Sequence, residues 1–243
     1  MSDYTQSTRY QRCQAIFDRA YPDFKDAGQR YTEMIKAAID AKTLLLDVGC
    51  GRDSLAGDVL QQAAGRTGID LSFEDLQHNT SMDVAMLADA GKLPFPDEHF
   101  DVLISQWVVE HFEDPDAAFT EMQRVLKPGG KLIFLTTNAH NYIPVFSRLV
   151  PDGLQHTIIQ TFLRRPAHES FPTFYRANTR RQLENIAANT GFTIEKLEYA
   201  ANPFYLTFSV PVFRLAMLYE RFTDASSRQR FKLYLIATLQ KRL

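Results

Sequence analysis

The stretch LLLDVGCGRDSLAG, residues 44–57, limits what this chain can fold into more than any other feature. An apolar run closes on an acid, Asp47, and two glycines follow within four residues. An apolar run without alternation suits a strand covered on both faces. A glycine turn directly after it suits a unit in which the backbone approaches a ligand closely. The same rhythm recurs downstream. RTGID, DVAML, FDVLISQ and KLIFLTT read as four further strands, with KPGG as a sharp turn into the last. Between them, DSLAGDVLQQAA reads as a helix capped by Asp53 or Ser54, and DPDAAFTEMQRVL as a helix with Asp114 at its cap and Pro115 in its first turn. Strands that alternate with helices or short crossovers imply an α/β fold built on a doubly wound, mostly parallel sheet.

The flanks extend this pattern to seven strands. QRCQAIFDRAY and GQRYTEMIKAAIDA are amphipathic and helical. TRRQLENIAANTGF carries a capping-box spacing at Thr179 and Gln182 and a stop at Gly191. TIEKLEYA is expected as a sixth strand, VFRLAMLYERF as a helix, and FKLYLIATLQKR as a last strand returning to the sheet. One domain over 1–243 follows, in four parts: an N-terminal helical lid at 1–42, a core at 43–137, an inserted cap at 138–177 with no clear period, and the remainder of the sheet at 178–243.

Charge and cysteine content narrow the setting. A net charge of -2 offers no basic field for a nucleic-acid backbone. Two cysteines, Cys13 and Cys50, form neither a metal-type spacing nor a disulfide framework. The opening MSDYTQSTRYQRC lacks an apolar core for a signal peptide, and NPFYLTFSVPVF is too short to span a bilayer. A cytoplasmic protein without a transmembrane segment is expected.

The acids around the glycine turn speak to the ligand. A dinucleotide site would read G-x-G-x-x-G, whereas this chain has Ser54 at the third glycine position. Asp47 and Asp53 flank the turn, and carboxylates repel phosphate. They suit a ligand with a cationic end, such as S-adenosylmethionine. Asp70 closes the second strand, close to the roughly 20-residue offset of an acid that accepts from ribose hydroxyls. That feature fits a nicotinamide dinucleotide equally well. Asp89 ends the third strand, on the same rim, where a carboxylate can accept from an adenine amine.

Together, LLLDVGCG, GIDLS, ADAGKLPFPDEHFDVLISQWVVEHFEDP and VLKPGGKLIF resemble, in order, the motifs of the class I S-adenosylmethionine-dependent methyltransferases of the small-molecule, methyltransferase-11-like type. The resemblance runs from about 43 to 137 and implies a Rossmann-like fold. It also implies that Asp47, Gly49, Cys50 and Gly51 surround the methionine end of the cofactor, though Cys50 by itself reads as a filler of the tight turn. It places Asp70 on the ribose, Leu71 beside the adenine, Asp89 and Ala90 at the adenine edge, and Gln106 near the sulfonium. FDRAY is similar to a segment that folds over the cofactor, which makes Tyr21 a lid candidate.

Methyl transfer from a sulfonium is an in-line displacement that mainly requires alignment of the acceptor. Where a base assists, His111 in VVEHF and His140 beyond the fifth strand are the candidates, each with the alternative of an ordinary surface histidine. Tyr142, Tyr175 and Arg176, with Arg164 and Arg165, could line an acceptor pocket, while His156 and His168 read as loop residues. No metal spacing stands out. A non-catalytic cofactor-binding scaffold or sensor and a nicotinamide oxidoreductase are the competing readings. The aromatic and basic C-terminal third is a candidate contact with a membrane or a second subunit, and a homodimer is left open.

Overall fold

The computed structural model describes residues 8–149 and 171–243. Arg164, Arg165, His156 and His168, with most of the expected cap, lie outside these residues. A seven-stranded sheet forms the frame: β1 (Leu44–Val48), β2 (Gly65–Asp70), β3 (Val84–Leu87), β4 (Phe100–Gln106), β5 (Leu126–Thr137), β6 (Phe192–Ala200) and β7 (Tyr234–Lys241). Its order is β3-β2-β1-β4-β5-β7-β6. All pairings among β1 to β5 are parallel. From β1 the chain winds outward through β2 and β3, then returns to the other side of β1 as β4. The strand order therefore reverses between β1 and β4, the place beyond whose carboxyl ends doubly wound sheets bind their ligands.

Local sequence explains these elements. Leu45 and Leu46 are neighbours that point to opposite faces of β1, and both are fully buried, so both faces are covered. Helix α1 spans Thr8–Ala20, and α2, Ala27–Lys36, buries Ala27, Tyr31 and Ile35 at four-residue spacing. Helix α5, Pro115–Val125, starts where the Asp114 side chain accepts from the Ala117 amide at 3.1 Å. Helix α7, Arg180–Thr190, is capped by Thr179 and stopped by Gly191 at φ +78°. Short α3 (Gly57–Leu60) and α4 (Phe73–Gln77), α6 (Tyr142–Leu149) and α8 (Val210–Thr223) complete the helices of the described residues.

Two local expectations change. The helix after the glycine turn does not start at Asp53 or Ser54: it is the four-residue α3, preceded by Ala56 with no side-chain cap. Residues 53–56 are instead held in a loop by side chains from outside it, as described below. KPGG does not separate a helix from a strand either. It lies within β5, where the pairing to β4 passes from Phe100–Leu126 to Val102–Lys131. The extra residues bulge, and Gly129 takes φ +76° to allow it.

The chain divides into two compact units. One contains 27–137, 172–198 and 235–243, hence most of the sheet. The other gathers 8–26, 138–149, 171 and 199–234 of the described residues. In the second unit α1 packs on α8: Cys13 and Phe17 meet Phe213 and Met217, with Phe24, Phe204 and Tyr21 around them. Phe17 stacks on Tyr21 at 5.2 Å and meets Phe204 edge-on at 5.0 Å. The division thus departs from four consecutive parts. α2 belongs with the sheet, while segments far apart in sequence share the second core, because the apolar faces of α1 and α8 have each other to cover.

Candidate functional site

In the sheet unit, the glycine turn stands at the tip of β1. The Gly49 and Cys50 amides both donate to the Ile69 carbonyl, at 2.8 and 2.9 Å, and the Gly51 amide donates to Asp70 Oδ2 at 2.8 Å. Three successive N–H groups are therefore engaged within the protein. Gly49 sits at φ +79°, and a Cβ there would lie 2.1 Å from Val108 Cγ2. Its need for glycine comes from packing against the chain after β4 as well as from its backbone angle. Gly51, at φ +47°, differs: a Cβ there would meet nothing within 4 Å.

Further side chains fix the loop. Asn79 Nδ2 donates to the Gly51 carbonyl at 2.7 Å, and Arg52 pairs with Glu74 and Asp75 on α4. Gln106, at the tip of β4, holds the loop from the other side. Its Nε2 donates to the Asp53 carbonyl at 3.0 Å, and its Oε1 accepts from the Leu55 amide at 3.0 Å. Both ends of this amide engage the loop. Sequence reasoning missed Asn79, and it missed this function of Gln106, because neither partner is near it in sequence.

The acids separate into distinct environments. Asp47 is fully buried, and neither carboxylate oxygen has a hydrogen-bond partner. Burial, then the charge of Asp70, pushes its pKa up to about 8. Buried Tyr31 of α2 lies within electrostatic range and is itself shifted upward, mainly by burial. Asp70 accepts from Gly51 and, through Oδ1, from the Ser72 amide at 2.8 Å, yet it is only half-buried. A carboxylate with about four acceptor positions retains capacity for hydroxyl donors there. Leu71, 57% exposed, follows it, and Leu87, 59% exposed, is its register partner on β3. Asp89 is exposed and uses Oδ1 to accept from the Gly91 amide at 2.7 Å, with Ala90 buried beside it. Cys50 is buried, its thiol pushed up to about 12 by burial first and then by Asp47 and Asp70. It fills the turn, with its sulfur against the face where Gly68 has no Cβ.

After β4 the chain adopts an unusual conformation. Trp107 takes φ +53°, a costly angle for a bulky residue, and exposes its ring by 40%. No sequence pattern signals this angle. His111 follows in a single 3-10 turn, Val109–His111, and its Nδ1 lies 2.9 Å from the Pro172 carbonyl. A carbonyl only accepts, so Nδ1 donates in this bond. Buried Glu110 supports this turn. Its carboxylate accepts from the hydroxyls of Thr136 and Thr137, Asn178 Nδ2 donates to Thr136 Oγ1 at 2.7 Å, and the Glu110 carbonyl accepts from the Phe174 and Tyr175 amides. Tyr175 stands at φ +53°, and the Arg176 guanidinium donates to the Glu113 carbonyl and lies 5.2 Å from the centre of the Phe174 ring. The network brings VVEHF and FYRAN together although about 60 residues separate them.

Three expected site residues belong to the second unit. The Tyr21 hydroxyl donates to Asp224 Oδ2 at 2.9 Å. His140 is exposed, its amide donating to Asn138 Oδ1 at 3.2 Å. The half-buried Tyr142 ring meets Tyr219 edge-on at 4.9 Å.

These residues fit a cationic nucleoside better than a diphosphate. A buried carboxylate lacks a donor, a second acid keeps acceptor capacity beside exposed apolar side chains, and the turn amides that would cradle phosphate are engaged. The helix beyond the turn begins only at Gly57 and is too short to present a strong dipole to an anion. Comparison with known proteins agrees. Residues 46–134 match the methyltransferase domain family. The ubiquinone/menaquinone biosynthesis C-methyltransferase UbiE of Laribacter hongkongensis is 37% identical over 102 residues, covering 37% of this chain and 41% of that protein. The fatty-acid O-methyltransferase of Mycolicibacterium smegmatis is 30% identical over 125 residues, covering 49% and 45%. The chain thus spans less than half the length of these curated relatives. An S-adenosylmethionine-dependent methyltransferase structure from Mesorhizobium loti superposes with a TM-score of 0.57 at 17% identity, over 88% of this chain and 98% of that one. The [4+2]-cyclase SpnF shares the fold with a TM-score of 0.55 at 22% identity, over 88% and 81%. Residues 46–134 of this chain thus match the methyltransferase domain family, and they are set in a seven-stranded, Rossmann-like fold shared with a solved S-adenosylmethionine-dependent methyltransferase.

Proposed function

We propose that this protein transfers a methyl group from S-adenosylmethionine to a small-molecule acceptor. The observation that carries the reading is Asp47, a buried carboxylate with no donor at the tip of β1. In this reading Asp47 faces the cationic methionine end of the cofactor, beside Gly49, Cys50 and Gly51. Asp70 accepts from the ribose hydroxyls, Leu71 lies against the adenine, and Asp89 and Ala90 bound its edge. The cofactor supplies an activated methyl group, and the protein aligns the acceptor and excludes water. Gln106 acts by holding the loop in place.

His111 is the better-placed base, because its Nδ1 bond to the Pro172 carbonyl fixes the ring in the turn that follows β4. Tyr175 and Arg176 contribute to acceptor binding, with Trp107 as a further aromatic surface. The names of the relatives span carbon and oxygen methylation, so the acceptor atom is left to experiment. The buried free thiols Cys13 and Cys50 support a cytoplasmic setting, and the slight negative charge argues against a nucleic-acid acceptor.

Calorimetry with S-adenosylhomocysteine against NADH tests the cofactor. Binding of the first alone is expected, and binding of NADH alone overturns the reading. Turnover of cofactor labelled in its methyl group, screened against metabolite extracts, tests the reaction. Tight binding without any labelled product would favour the scaffold or sensor.

A further inference from the structure

Helix α8 carries apolar side chains on two opposite sides. One side is core, with Phe213, Ala216 and Met217 buried. Facing solvent are Pro211, Leu215, Leu218 and Phe222, of which Leu215 is 64% and Leu218 58% exposed. At 100° per residue these four fall within a stripe roughly 60° wide. A surface helix ordinarily turns a polar face outward. Here the outward face holds no acid: Arg214 and Arg221 are exposed along one flank of the stripe, and Glu220 points into the interior. Arg228, in the 3-10 turn Ser226–Phe231, sits 4.1 Å from the centre of the Phe222 ring and extends the cationic border, followed by exposed Arg230. The neighbouring acid, Asp224, is engaged by Lys232 and Tyr21. In the same unit α6 exposes Val145 and Phe146.

We propose that the outer face of α8 docks on an anionic lipid surface, with Leu215, Leu218 and Phe222 entering the headgroup–acyl boundary and Arg214, Arg221, Arg228 and Arg230 resting against lipid phosphates. Charge decides the occupant. An apolar stripe bordered by arginines and free of acids matches a surface that is apolar below and negative above. A second copy would instead bring equal cationic borders together, since a two-fold interface repeats the same residues. The inference concerns the second unit alone and does not depend on the methyl-transfer reading.

The test is co-sedimentation of the whole protein with vesicles of phosphatidylcholine alone and with phosphatidylcholine mixed with phosphatidylglycerol. At least ~10-fold stronger binding to the anionic vesicles, weakening as salt is added, is expected. Leu215→Ser with Leu218→Ser abolishes binding to both, and Arg214→Gln with Arg221→Gln removes the anionic preference. Val84→Ser, on an exposed edge strand of the other unit, leaves binding unchanged. All these positions are at the surface, so the variants fold, as circular dichroism would verify. Equal or absent binding to the two vesicle types overturns the proposal. So does a concentration-dependent dimer in light scattering that the Leu215→Ser, Leu218→Ser pair dissociates.

Discussion

Replacing Asp47 by asparagine is expected to stabilise the protein by itself while weakening its hold on the cofactor. The carboxyl is fully buried, unpaired, and pushed from an ordinary 3.8 to about 8. A carboxyl with a raised folded-state pKa holds its proton in the folded protein after the unfolded chain has lost it. The ionisation penalty is therefore absent at low pH and grows as pH rises from about 4 to about 8. At about 1.4 kcal/mol per pH unit the penalty reaches about 4 kcal/mol at pH 7 and levels off near 6 above pH 8. An asparagine of the same shape never ionises, and its unpaired amide returns about 1–3 kcal/mol of the gain. Urea denaturation of both proteins between pH 5 and 9 checks this. The variant should gain about 1–3 kcal/mol over the wild type at pH 7, and the difference should widen toward pH 8 and flatten beyond it. Glu220, raised to about 7 by its own burial, affects both proteins alike and drops out of the comparison. Calorimetry supplies the other half. A cationic ligand forces Asp47 to ionise, so binding of S-adenosylmethionine at pH 7 releases close to one proton to the buffer from the wild type and none from the variant. Parallel stability curves across this range, with identical proton release, would refute the reasoning.

The two turn glycines should separate stability from binding. Gly49→Ala collides with Val108 and is expected to lower the stability by at least ~2 kcal/mol in chemical denaturation, from overpacking and the left-handed angle together. Gly51→Ala carries only the angle, about 1 kcal/mol, yet its methyl projects into open space at the site, so S-adenosylhomocysteine affinity falls more than the melting temperature. Gln106→Ala frees residues 53–55, and calorimetry should record a several-fold loss of cofactor affinity with little change in the rate at saturating cofactor. His111→Ala is expected to lower kcat by ~10²–10⁴-fold with cofactor affinity unchanged, and an unaltered kcat would remove the base from His111.

Where local chemistry dictates structure, the sequence was legible. The apolar runs of β1, β4 and β5 became strands because a sheet covered on both faces tolerates no polar alternation, and Asp114, Thr179 and Gly191 punctuate helices because each satisfies an end. The order of Asp47, Gly49, Gly51 and Asp70 was enough to predict the glycine turn at the tip of β1 and the acid at the tip of β2 beside it. What stayed hidden depends on side chains reaching across the fold. Gln106 reads as a residue aimed at a ligand until its two hydrogen bonds to residues 53 and 55 are seen. DSLAGDVLQQAA reads as a helix from its start because periodicity cannot register that neighbours hold its first turn open. The left-handed Trp107 carries no glycine or asparagine to announce it, and Asp47 is an ordinary acid until its burial is known.

The marriage of α1 to α8 has a consequence for how such a protein comes into being. The Tyr21 hydroxyl meets a carboxylate 203 positions further along the chain. As the polypeptide is synthesised, the first helix must wait, with Cys13 and Phe17 uncovered, until almost everything else has been made. Loop closure on that scale favours early assembly of the parallel strands β1 to β5 and late completion of the second unit. It also means that no single cassette can be cut out to exchange this unit between relatives, because a working graft must replace its separated segments together.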